Sequence, residues 1–190
     1  MFARLISLIA AIGMTVLLFY ATLPNLFTDR GVETGPINER RAPPFDADPD
    51  WFWINTEPLR WSDLRGNVVM LMVWNYNCEN CIRSLPWVES LRRSYGDQGF
   101  RVIAVHTPEF EAQRERKAIV AAVEQLGLKI PVLLDNQFHY WRALENRYWP
   151  SFYLVDRNGM LSERFVGETQ IGDDGDKLIR SAIEPLLAQP

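Results

Sequence analysis

The stretch VVMLMVWNYNCENCIRSLP, residues 68–86, decides how the chain is read. Its apolar run from Val68 to Trp74 has the length and density of a strand covered on both faces. Asn75, Tyr76 and Asn77 break the run, and Cys78-Glu79-Asn80-Cys81 then stands where a helix would begin. A thiolate at the first turn of a helix is stabilised by unpaired backbone N–H groups and by the positive end of the helix dipole, so its reactivity near neutral pH rises. Cys78 has that place. Cys81, one turn further on, is placed to attack a mixed disulfide formed by Cys78 and release the partner. These are the only 2 cysteines of the chain, and their arrangement points to thiol-disulfide exchange.

Three other readings compete. Half of a zinc site would need four ligands, and the remaining candidates, His106 and His139, lie far downstream. A purely structural bridge over so short a loop removes little entropy from the unfolded chain. Two reduced core cysteines fit poorly with the polar Asn77, Glu79 and Asn80 around them.

At 190 residues the chain is one domain with extras. A hydrophobic fraction of 47% with 12% aromatic residues suits a packed globule, and a net charge of -4 offers no basic field for nucleic acid. Leu5 to Leu23 contains no charged side chain, and a helix of that length would span nearly the roughly 30 Å of a bilayer interior. Residues 1–27 therefore read as an N-terminal transmembrane anchor. A cleaved signal is the alternative, but Phe19 before Ala21 and Tyr20 before Thr22 spoil the small-x-small cleavage pattern. Arg4 favours a cytoplasmic amino terminus, which puts the rest of the chain in an oxidising, extracytoplasmic compartment.

Thr28 to Asp50 holds four prolines, two glycines and nine charged residues, and reads as a flexible linker, residues 28–50. From Trp51 to the end, residues 51–190, strand-length apolar runs alternate with helix-period stretches, the pattern of an α/β domain. Val68 to Trp74, Arg101 to Val105, Val132 to Leu134 and Phe152 to Val155 are the buried strands. Ile119, Val123 and Leu126 give one apolar helix face, and Phe138, Trp141 and Leu144 another. Asp156-Arg157-Asn158-Gly159 is a turn, so Phe152–Val155 and Leu161–Val166 are expected to form an antiparallel hairpin. Leu178, Ile179, Ala182, Ile183, Leu186 and Leu187 form the stripe of a last helix.

The strand, the Cys-x-x-Cys at a helix start, Pro86 five residues after Cys81, Pro150 before a late strand, the hairpin and the final helix together resemble the thioredoxin fold. WNYNCENCIR (74–83), VHTPEF (105–110) and NRYWP (146–150) resemble the TlpA-like branch, especially the thioredoxin-like domain of DipZ-type proteins. The resemblance covers Trp51 to about Leu187 and implies a central mixed β-sheet flanked by helices. It implies a cis-proline at Pro150 whose loop, Trp149, Pro150 and Ser151, forms the substrate groove. The 7 tryptophans read as core and groove packing, with Trp74 and Trp149 expected to flank the disulfide. Members of that branch are typically membrane-tethered with the redox domain outside the cytoplasm.

The chain departs from the family pattern at the proton relay. Thioredoxins place a buried acid six residues before the first cysteine, where this chain has Met72. Some tethered relatives carry a glutamate three residues after the second cysteine, where it has Ser84. His106, Glu109 and Glu111 follow the strand Arg101 to Val105, at the sheet edge where Cys78 is expected, and are the candidates for proton transfer. Glu79 beside Cys78 opposes thiolate formation, which favours a reducing role.

The expected function is a membrane-anchored thiol-disulfide oxidoreductase on the periplasmic side, with Cys78 as attacking and Cys81 as resolving residue and no metal or organic cofactor. The resemblance implies extracytoplasmic protein disulfides as substrates, apocytochrome c cysteines among them, and a membrane electron donor of the thiol-reductase type. Two further readings stay open: a copper chaperone using Cys78, Cys81 and a histidine, and a non-catalytic binding module on the same fold.

Overall fold

The computed structural model describes residues 32–35, 37, 40–45 and 48–189. The anchor read over residues 1–27 lies outside them, and among the described residues no helix is long and apolar enough to cross a membrane. The strands are β1 (Glu33–Gly35), β2 (Phe52–Ile54), β3 (Val68–Trp74), β4 (Phe100–His106), β5 (Val132–Leu134), β6 (Ser151–Val155) and β7 (Leu161–Val166). The α-helices are α1 (Glu79–Tyr95), α2 (Arg116–Gln125), α3 (His139–Ala143) and α4 (Asp174–Ala188).

The strands form one mixed sheet in the order β1-β7-β6-β3-β4-β5-β2. β3, β4 and β5 run parallel, while β6 pairs antiparallel with β3. β3 is central and every residue of it is buried, which is why its sequence is an unbroken apolar run. Alternate residues serve two cores. Val68, Met70, Met72 and Trp74 face α1, α2 and α4 through Trp87, Leu91, Ile119, Ile179 and Ile183. Val69, Leu71 and Val73 face Tyr140, Leu144 and a group contributed from the N-terminal side, Ala42, Phe45, Trp53 and Leu64.

The stretch whose composition reads as a tether therefore carries structure. Described residues from Val32 onward belong to the same compact unit as those after Trp51. β1 adds an edge strand to β7, Arg41 bridges to Met160, and the Ala42 N–H donates to Gly159 O at 2.9 Å. Phe45 stacks on Tyr140 (centroids 5.2 Å apart) and on Trp61 (5.0 Å). Pro43 O accepts from Trp61 Nε1 at 2.7 Å and from the Tyr140 hydroxyl at 2.9 Å. The physical reason is the second face of the sheet: α3 has only 5 residues, so the apolar side of β3 and β6 needs further cover. Gly175 lets α4 approach the same segment, since a Cβ there would lie 2.5 Å from Val32 Cγ2.

The hairpin forms as its turn sequence predicts, with Gly159 at φ 82° and Asp156 Oδ1 accepting from Asn158 N and Met160 N. Two helix faces differ in detail from the apolar pattern. α3 buries Tyr140 and, at its C-cap, Leu144, while Phe138 sits at the N-cap with φ 60° outside the helix. Asp135 causes this by accepting from Tyr140 N at 3.1 Å and Trp141 N at 2.8 Å, which starts the helix. On α4, Ile179, Ile183 and Leu186 are buried, whereas Leu178 is 40% exposed.

Candidate active site

β3 ends at Trp74, and a short turn delivers Cys78 to the start of α1. Asn75 builds that turn: its Oδ1 accepts from Asn77 N at 2.8 Å and its backbone oxygen accepts from Cys78 N at 3.1 Å. Cys78 is the N-cap of α1, with Sγ accepting from Cys81 N at 3.2 Å, the bond that an Asp or Ser oxygen usually makes. The sulfur is thus held against the first turn, where the helix dipole favours negative charge.

Cys78 and Cys81 form a disulfide with Cα atoms 5.2 Å apart. The two are not equivalent. Cys78 is partly exposed, whereas Cys81 is fully buried in the core with Met72, Trp74 and Trp87. Only Cys78 can be reached by a large partner.

Pro150 lies beside this turn because β6 pairs with β3 in the register Val73 to Ser151. The Trp149–Pro150 peptide is cis. Pro150 O accepts from Gly167 N at 3.0 Å, and the Ser151 hydroxyl donates to Tyr148 O at 2.8 Å, so both of these groups are engaged within the protein. Trp149 is half-buried and packs on Trp141 with centroids 4.3 Å apart. Trp74 is fully buried, a core residue behind the turn.

The three candidates for proton transfer separate. His106 is opposite Trp74 in the β3–β4 register and wholly buried, with its ring stacked on Tyr76 at 5.4 Å and edge-on to Trp74 at 5.8 Å. Burial lowers its pKa to about 4, so the imidazole is neutral at pH 7. Glu109 is exposed. Glu111 is exposed and pairs with Arg114 at 2.8 Å. Met72 and Ser84, which stand in the positions of the expected acids, are both fully buried. The Ser84 hydroxyl donates to Asn80 O at 2.9 Å and accepts from Thr169 N at 3.1 Å, tying α1 to the loop after β7.

Sequence reasoning missed a set of polar residues that frame the site. Gln113, buried, accepts from Asn75 Nδ2, Glu109 N and Phe110 N and holds the loop after β4 against the cysteine turn. Arg83 donates to both carboxylate oxygens of Glu168, at 2.7 to 2.9 Å, and also contacts Asn80 and Glu79. The Arg83 guanidinium holds the Glu168 carboxyl below its usual range. Among the described residues no group of three or more His, Cys, Asp or Glu is placed to hold a metal ion.

Comparison with known proteins agrees with this geometry. The family model described as AhpC/TSA family matches residues 39–164. Protein DipZ of Mycobacterium bovis is 38% identical over 119 residues, covering 61% of this chain and 17% of that protein, so the chain corresponds to a small part of it. Thiol-disulfide oxidoreductase ResA of Geobacillus kaustophilus is 29% identical over 179 residues, 94% of this chain and 92% of its own. The solved structure of the thioredoxin-like superfamily protein SPOA0173 superposes with a TM-score of 0.69 at 23% identity, over 79% of this chain and 97% of that one. The chain belongs to the AhpC/TSA family and has the thioredoxin-like fold.

Proposed function

We propose that the protein is a thiol-disulfide oxidoreductase that reduces protein disulfides outside the cytoplasm, tethered to a membrane by residues 1–27. The observation that carries the proposal is the asymmetry of the cysteine pair, with an accessible Cys78 at a helix start and Cys81 sealed beneath it. Two relatives matched over most of their length, ResA and YkuV of Bacillus subtilis, are named thiol-disulfide oxidoreductases. The uncharged run Leu5 to Leu23 supports the tether. The resemblance to TlpA-like proteins supports clients that include apocytochrome c cysteines and a membrane thiol reductase as electron donor.

In the reaction the dithiol form is the reductant. The Cys78 thiolate attacks one sulfur of a client disulfide, and the other client sulfur leaves as a thiolate. The Cys81 thiolate then attacks Cys78 Sγ, the mixed disulfide breaks, and the second client sulfur leaves. Two electrons have passed to the client, and the protein holds the Cys78–Cys81 disulfide seen in the structure. A two-electron dithiol donor restores it.

Cys81 must lose a proton for the second step. With a pKa of about 4, His106 is a poor acceptor. Taking the proton of a thiol with pKa about 8.5 would cost about 6 kcal/mol at about 1.36 kcal/mol per unit. The departing client thiolate, basic and adjacent to the reacting sulfurs, is the better acceptor. Glu109 and Glu111 remain as solvent-side acceptors only.

The test is trapping. Cys81→Ser is expected to accumulate mixed disulfides with clients, and Cys78→Ser to lose turnover; wild-type turnover by Cys78→Ser would overturn the proposal. The reduction potential fixes direction: a value near thioredoxin's, about -270 mV, marks a reductant, and one near about -120 mV an oxidant.

A further inference from the structure

We propose that the groove between α1 and the α2–β5 loop receives an extended apolar segment of the client polypeptide next to its reacting sulfur. The inference rests on the disulfide-exchange reading and names what that site would recognise. The groove has a volume of about 440 Å³ and is walled by Ile82, Leu85 and Pro86 of α1 on one side and Leu126, Leu128 and Ile130 on the other. Ile82 and Leu85 follow Cys78 by four and seven residues, so on a helix of about 3.6 residues per turn they continue the stripe that begins at the accessible sulfur. The groove wall thus begins one helical turn after Cys78, so the residues beside a client sulfur bound to Cys78 can run along α1 onto this stripe.

The far wall is preformed. Gly127 adopts φ 64°, its N–H donates to Glu124 O at 3.0 Å, and Leu128 N donates to Val123 O at 3.1 Å, the hydrogen-bonded end of α2. A wall held by backbone bonds loses little entropy when a partner binds. The other flank of α1 is charged, with Arg83 bound to Glu79, Asn80 and Glu168, so of the two flanks of the helix the groove side is the apolar one.

Charge sets the far end. Glu89 on the rim is bound to Arg92 at 2.8 Å and lies 3.9 Å from Arg93, whereas Lys129 makes no ion pair among the described residues. The segment that fits is apolar beside its cysteine, with an acidic side chain beyond.

The test uses the full chain and synthetic peptides with one cysteine as its glutathione mixed disulfide, flanked on both sides by Leu-Val-Leu or by Ser-Gly-Ser. Wild-type protein is expected to favour the apolar peptide about tenfold in kcat/KM, and Leu128→Glu to bring the ratio to about one. A wild-type ratio near one, or an unchanged ratio in Leu128→Glu, overturns the proposal. Should Leu128→Glu not fold, Lys129→Glu at an exposed site decides: it should reverse a preference for Asp-ended over Lys-ended apolar peptides, and an unaltered preference counts against the groove. Absence of turnover with either peptide would instead defeat the oxidoreductase reading. Anisotropy with a cysteine-free Leu-Val-Leu peptide then judges the groove alone: binding weakened by Leu128→Glu upholds it, and no binding overturns it.

Discussion

The side-chain oxygen of Gln113 accepts a hydrogen bond from Asn75 Nδ2 at 2.5 Å, inside the protein, and so joins the loop after β4 to the turn that presents Cys78. The same oxygen accepts from Glu109 N at 2.7 Å and Phe110 N at 3.1 Å. Replacing it by an apolar group of similar size leaves Glu109 N and Phe110 N without this acceptor and Asn75 Nδ2 with Thr107 O alone. Gln113→Leu is expected to lower stability by about 1 to 3 kcal/mol. Urea unfolding measures this, and a midpoint equal to that of the parent would remove the network from the stability of the site.

Arg83 governs the charge next to Cys78. Its guanidinium contacts Glu79, whose carboxylate would otherwise oppose a thiolate at the neighbouring position. Arg83→Gln is expected to raise the pKa of the reduced Cys78 thiol and slow its alkylation at pH 7. Because Arg83 and Glu79 are exposed, salt should shrink the difference. Iodoacetamide kinetics against pH, at low and high ionic strength, provide the check; a coincident profile for both proteins refutes the role.

Phe45 shows where the sequence was legible and where it was not. β3 is read directly because a strand buried on both faces must be apolar throughout, and the cysteines announce α1 by chemistry. Phe45 and Ala42 sit singly among prolines and charges, so no periodicity marks them as core, yet both cover the second face of the sheet. Gln113 and Glu168 meet Asn75 and Arg83 across 38 and 85 residues, and no local pattern encodes such pairs. The short α3 is set by the side chain of Asp135 rather than by an apolar repeat.

The cover provided by Phe45 can be measured. The ring is 5% exposed and lies against Trp53, Trp61 and Tyr140, so Phe45→Ala leaves a cavity among three aromatic rings. A loss of about 3 to 5 kcal/mol is expected. A loss below about 1 kcal/mol by denaturant titration would mean that the segment is dispensable cover.

His106 gives the domain a pH dependence of definite sign. Its pKa is about 4 in the folded chain because burial penalises the cation, whereas an unfolded histidine has the ordinary value of about 6.5. Between these values the unfolded state binds a proton that the folded state refuses, so stability is full above pH 6.5 and falls as the pH drops toward 4. The loss over that window is about 3 kcal/mol. Glu168 and Asp176, whose pKa values are lowered by hydrogen-bonded arginine or backbone partners acting against burial, lose their contributions only at lower pH. Asp135, raised by burial, works in the opposite direction. Comparing the parent with His106→Phe, which keeps a ring against Tyr76 but cannot titrate, cancels these carboxylates. The variant should lack the decline between pH 6.5 and 4 in urea-unfolding free energy; equal declines in the two proteins would show that His106 is protonated in the folded state or that its burial is relieved by motion.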